Sequence, residues 1–186
     1  MRRRPIAGEA DGMAKKSAKA AGEIHEEAET YRGGAPRPLR GHVLMMALFS
    51  ALVAAAAGLA AATGRRLPSD VRGYDLLLLT AGTHKLARTL SKDAVTSPLR
   101  TPFTRYEETG GPAEVNEEVR RSSQTRHAIG ELITCPFCLD LWIATGFAVG
   151  MVFAPRLTRL VATTFTAMTG ADFLQLAYAR MQQSQS

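Results

Sequence analysis

Cysteine is scarce in this chain of 186 residues: Cys135 and Cys138 are the only two. A pair without further thiols leaves no relay of the kind that four-helix membrane disulfide oxidoreductases use, and no βαβ pattern surrounds it to suggest a thioredoxin-type site. Missing too are a phosphate-binding glycine loop, a nucleophile elbow and a two-histidine zinc helix. The common nucleotide, acyl-transfer and metalloprotease chemistries therefore have no sequence support. Residues 1–40 have no apolar stripe. They are rich in Ala, Gly, Lys, Arg and Glu and contain Pro5, Pro36 and Pro38, and they read as a disordered basic and acidic tail with at most transient helix over 14–31.

Charge is absent from Val43 to Ala62, twenty residues of VLMMALFSALVAAAAGLAAA. At 1.5 Å per residue that run matches a hydrocarbon core about 30 Å thick, so the spacing predicts a transmembrane helix. A weaker apolar segment follows over 74–90. There Thr80, His84 and Arg88 share a ridge beside Thr83, and Lys85 and Arg88 can snorkel; an amphipathic helix lying at the interface is the alternative. Pro136 is tolerated only in a first helical turn, which predicts a break near Thr134, a cap at Thr134 or Cys135 and a span over 136–153. A last span is expected over 157–179, followed by a polar tail over 181–186. The connection 91–128 reads as a membrane-associated stretch to Tyr106 and then a flexible loop, Glu107 to Arg126, punctuated by Gly110, Gly111 and Pro112. The expected architecture is an all-α integral membrane bundle of about four helices over 41–180 with a disordered N-terminal tail.

With four spans the termini share a side with the 91–128 connection, and that side holds sixteen Lys and Arg against five opposite. The positive-inside rule makes it cytoplasmic. The formal net charge of +6 then fits anionic lipid headgroups better than nucleic acid, because six acids dilute the tail and Tyr31 is its one aromatic. Cys135 and Cys138 open on the reducing side, where a structural disulfide is disfavoured. Three uses stay open: thiol redox, a metal ion completed by His84, Asp140, Asp172 or a second subunit, and plain packing. His84, Lys85, Arg88, Asp140 and Asp172 form the candidate polar cluster, since a carboxylate in lipid needs a partner. An ion-paired core fits them better than a proton or ion path, because only Gly170 and Pro136 interrupt the helices and no repeat is visible. Arg100 and Arg105 are expected on headgroup phosphates, with Leu99 and Phe103 as anchors, or else against a protein partner. His42 and His127 read as interfacial residues beside span boundaries.

The phrases YDLLLLTAGTHKLARTLSKDAVTSPLRTPFTRYEE over 74–108 and GELITCPFCLDLWIATGF over 130–147 resemble, in their order and spacing, an uncharacterised family of bacterial membrane proteins, domain of unknown function thirteen-sixty, which includes a sporulation-associated member. The resemblance covers roughly residues 42–178 and implies a multi-spanning protein of the bacterial inner membrane. It supplies no catalytic residues and no cofactor. The expected role is a non-enzymatic scaffold or interaction protein, with the bilayer and a protein partner or second copy as partners; a thiol or metal protein and a small transporter are the alternatives.

Overall fold

The computed structural model describes residues 7–68 and 70–184, with side chains from Gly12 onward. The basic Arg2–Arg4 end of the tail and the last two residues of the polar tail lie outside the described residues. The chain divides between Leu39 and Arg40 into two units. The first holds α1 (Ala7–Arg32), where the composition reads as disorder. Its Ala, Lys and Glu content favours helix over coil even without a buried face, Lys19 and Glu23 pair across one turn at 3.8 Å, and Gly33 and Gly34 end it at positive φ.

The second unit is built on α2 (Leu39–Ala62), α3 (Gly73–Ser91), α6 (Pro136–Phe153) and α7 (Pro155–Gln183), with a cap inserted between α3 and α6. Gly64, at φ 63, turns the chain after α2 and lets Arg65 N–H bond to Ala60 O at 2.9 Å. Among the described residues, α2 and α6 are the two helices long and apolar enough to cross a bilayer, and only 0% and 6% of their most apolar windows are buried. A core helix of the same composition would be covered; α2 instead presents Leu44, Met46, Leu48, Leu52 and Leu59 outward. Cys135 caps α6 and Pro136 opens it, so the helix begins where proline permits.

Leu78, Phe147 and Ala162 form the buried apolar centre of α3, α6 and α7, with Leu79, Leu86, Ile143 and Val161 around it. Asp75 meets Arg159, Leu78 meets Thr166, Ala81 meets Thr169 and Lys85 meets Asp172. The pairs rise together, so α3 and α7 run side by side in the same direction. The one-residue turn at Ala154 folds α6 back along α7, with Gly150 against Thr158, so α6 runs opposite to both. The contact of Phe49 with Trp142, edge on at 5.2 Å between ring centroids, joins α2 to α6.

The cap departs from the all-α expectation. A 3-10 turn (Ala94–Thr96) and a single turn α4 (Ser97–Arg100) lead into a two-stranded antiparallel hairpin, β1 (Thr104–Thr109) and β2 (Val115–Val119), then α5 (Gln124–Thr134). The segment read as flexible, Glu107 to Arg126, is thus strand, turn, strand and helix. Gly110 and Gly111 form the tight turn, with Gly110 N–H bonding to Glu114 O at 2.9 Å, and an extra residue at Glu107 bulges β1. Val115 N–H also bonds to Lys92 O at 2.9 Å, which sews the hairpin to the end of α3.

Candidate functional site

Three polar groups of residues stand out, and each joins elements distant in sequence. The first is the seam between α3 and α7. Asp75, 3% exposed, accepts both arms of the Arg159 guanidinium at 2.7 and 3.0 Å. Ten residues along α3, Lys85 Nζ lies 2.8 Å from Asp172 Oδ2. Between the two ion pairs, Thr166 and Thr169 donate to the carbonyls of Leu78 and Ala81. Gly82 lets the backbones meet, for a Cβ there would stand 3.1 Å from Ala162 O. Small residues and cross-helix hydroxyl bonds are how helices associate in lipid, where apolar burial gives no drive.

The second group locks the cap. Arg100 is 1% exposed and all five of its N–H donors are used. Nε and Nη2 reach the two oxygens of Glu117 at 2.9 and 3.1 Å, Nη1 reaches Leu90 O and Thr96 Oγ1 at 2.8 and 2.7 Å, and Nη2 also reaches Asp93 O at 3.0 Å. The guanidinium therefore terminates α3 by binding a last-turn carbonyl while it holds β2 through Glu117. Thr104 Oγ1 lies 2.9 Å from both Arg100 O and Glu117 Oε2. Arg88 forms a second fork, on Glu114, at 2.6 to 3.0 Å.

The third group is a carboxylate between two imidazoles. Glu131 Oε2 lies 2.8 Å from His42 Nε2 on α2, and Oε1 lies 3.4 Å from His127 Nε2 one turn earlier on α5. Gly41 makes room for that contact, since a Cβ there would overlap the Gln124 carbonyl and Ala128 Cβ. Cys135 follows Glu131 by one turn and accepts the Cys138 N–H at 3.3 Å.

Of the sequence candidates, Lys85 and Asp172 come together, and Arg88 is paired elsewhere. His84 is exposed and stands apart from them, since the adjacent Thr83 takes the buried face of α3. Asp140 is half-buried, and its Oδ1 has no hydrogen-bond partner among the described residues. Cys138 is exposed and Cys135 half-buried; among the described residues no three His, Cys, Asp or Glu side chains are grouped to hold a metal ion. The convergence of His84, Asp140 and Asp172 on the thiols is therefore not formed. Arg100 cannot serve headgroup phosphates, because burial and five internal bonds consume it. Phe103 is half-buried, with its backbone bonded to Arg100 O and Arg120 N–H. Arg105 is exposed on β1, and Leu99 projects outward at 66% exposure. Asp75, Glu114, Glu117, Glu131 and His42 escape a reading of the sequence, because the partners that join them to other elements lie 17 to 89 residues away; the His127–Glu131 pair is local, one turn of α5.

Serine at both cysteine positions is expected to leave the protein intact. Serine is a better N-cap than cysteine, so the C135S/C138S double variant should match the parent in melting temperature and in metal content by mass spectrometry. A lost metal ion or a failed fold would instead give the thiols a role.

A family model described as "Protein of unknown function (DUF1360)" matches residues 78–178, which takes in most of α3, the cap, α5, α6 and most of α7. The "Sporulation protein YjcA" of Bacillus subtilis (strain 168) is 34% identical over 82 residues, 42% of this chain and 68% of that protein. No solved structure matches. With more than half its length under the family model, this chain belongs to the DUF1360 family of proteins of unknown function.

Proposed function

We propose that the chain is a four-helix integral membrane protein, with α2, α3, α6 and α7 crossing the bilayer, that acts as a non-enzymatic scaffold presenting the cap and α5 on the cytoplasmic face. The observation that carries this reading is the α3–α7 seam. Its charges face each other as Asp75–Arg159 and Lys85–Asp172, while Leu76 and Leu77 on α3 and Leu157, Leu160, Phe173 and Leu174 on α7 face outward. A helix with paired charges inside and leucines outside is suited to lipid rather than water. Thr164, on the outside of α7, returns its hydroxyl to Leu160 O at 3.0 Å, as a lipid-facing threonine must. The shared direction of α3 and α7 is what two spans separated by one intervening crossing require.

A scaffold role is favoured over chemistry because the strongest polar groups are consumed by structural bonds: Arg88, Arg100, Glu114 and Glu117 in the cap, Asp75, Lys85, Arg159 and Asp172 in the seam. The surface left for a partner includes Val95 at 90% exposure and Leu99 on the cap, with Phe137 at 84% beside the thiols. The sporulation link of the Bacillus relative is carried over only as part of this proposal. Reporter fusions test the topology: junctions after Gly64, after Pro112 and at the C-terminus are expected to report outside, inside and inside. An outside signal at Pro112, or an inside signal at Gly64, would reject the arrangement.

A further inference from the structure

Past Phe49, α2 stands away from α6, and the space between is a groove of about 430 Å³. Val53, Ala56 and Ala60 line it from α2, Val149 and Phe153 from α6, and Leu79 from α3. From Val53 to Ala60 the groove runs about 10 Å along the helix axis. Its end is closed by the connection after α2, through Leu67 and Val71, and among the described residues Asp70 is its one charged lining residue. Arg65 and Arg66 precede that closure and Arg72 follows it; all three are exposed, and among the described residues none has a side-chain hydrogen bond. Three arginines against one carboxylate make the connection that closes the groove positive.

We propose that this groove seats an acyl chain of an anionic phospholipid, drawn from the leaflet that faces the 63–72 connection, with its phosphate on Arg65, Arg66 and Arg72. The inference rests on the four-helix membrane reading. The shape of the site selects the ligand class. A soluble anion would use the arginines and leave the apolar length empty, and an uncharged apolar molecule would use the length and not the arginines. An extended peptide would bring backbone N–H and C=O groups into a groove that offers them almost no partners. A phosphodiester with two alkyl chains matches both ends. Guanidiniums bind phosphate through paired N–H donors, and each cation near a headgroup adds to the attraction.

The experiment is lipid retention by the full chain. The protein is extracted from vesicles of phosphatidylglycerol mixed with phosphatidylcholine, and bound lipid is read by native mass spectrometry. The parent is expected to retain phosphatidylglycerol preferentially. The triple variant Arg65→Gln, Arg66→Gln, Arg72→Gln should retain at least about tenfold less, and Ala56→Trp, which fills the groove, should lose the lipid with the arginines intact. Arg105→Gln, on the cap, should change nothing. Because the triple variant alters only exposed side chains, it decides the matter even if Ala56→Trp fails to fold. Equal retention of the two lipids, retention unaffected by the triple variant, or a fatty acid or second copy found in place of phospholipid would overturn the proposal. Carbonate extraction of the same vesicles separates this from the underlying reading: protein that leaves the membrane refutes the four-helix arrangement, whereas protein that stays without lipid preference refutes the groove alone.

Discussion

Arg100→Ala is expected to collapse the cap, with a loss of about 3–5 kcal/mol, the usual consequence of removing one partner from a buried ion pair. Glu117, 6% exposed at its side chain, would keep a carboxylate with Thr104 as its remaining side-chain hydrogen-bond partner among the described residues. Leu90 O and Asp93 O would lose their donor as well. Arg100→Lys restores charge but offers three donors on a flexible stem in place of a five-donor fork, so it should recover only part of the loss. Glu117→Gln keeps shape and one acceptor and should cost less than Arg100→Ala. Thermal unfolding in detergent, with limited proteolysis between Thr101 and Arg126, gives the ranking. An alanine variant within 1 kcal/mol of the parent would show that the cap does not depend on this guanidinium.

Gly82→Leu is expected to part α3 from α7. Even a methyl group at Gly82 would stand 3.1 and 3.2 Å from the O and Cα of Ala162, and backbone cannot rotate aside as a side chain can. Overpacking of this kind costs about 1–3 kcal/mol. Here the contact also lies between the Asp75–Arg159 and Lys85–Asp172 pairs, so separating the helices lengthens both. Gly82→Ala should fall between parent and Gly82→Leu. Gly146→Leu is the control: nothing lies within 4 Å of a Cβ there, and its melting temperature should match the parent. Equal effects at Gly82 and Gly146 would mean that the seam is not closely packed.

The helices were legible because their signals are local. Twenty uncharged residues set α2 from Val43 onward, and Pro136 marked the start of α6 without any knowledge of its neighbours. The cap was not legible. TRYEET and VNEEV alternate too weakly in hydropathy to read as strands, and what orders them is Arg100, whose side chain reads on paper as a surface cation. Its burial depends on Glu117 arriving from 17 residues on. His42 reads as an isolated boundary residue for a similar reason: Glu131 lies 89 residues from it, and no periodicity encodes that meeting. The first forty residues erred in the opposite direction, since lack of an apolar stripe argues against packing but not against an isolated helix rich in Ala, Lys and Glu.

The shared direction of α3 and α7 also sets an order of events during synthesis. Asp75 and Arg159 are 84 residues apart, which at 5–20 residues per second is roughly 4–17 s of translation. For that interval α3 exists with Asp75 and Lys85 both lacking their partners, and it cannot rest in hydrocarbon on its own account. Nor can α6, made first and running the opposite way, supply them. In the proposed four-helix arrangement such a helix waits at the insertion machinery or at the interface until α7 arrives, and the chain enters the membrane as an assembly of helices and not one span at a time.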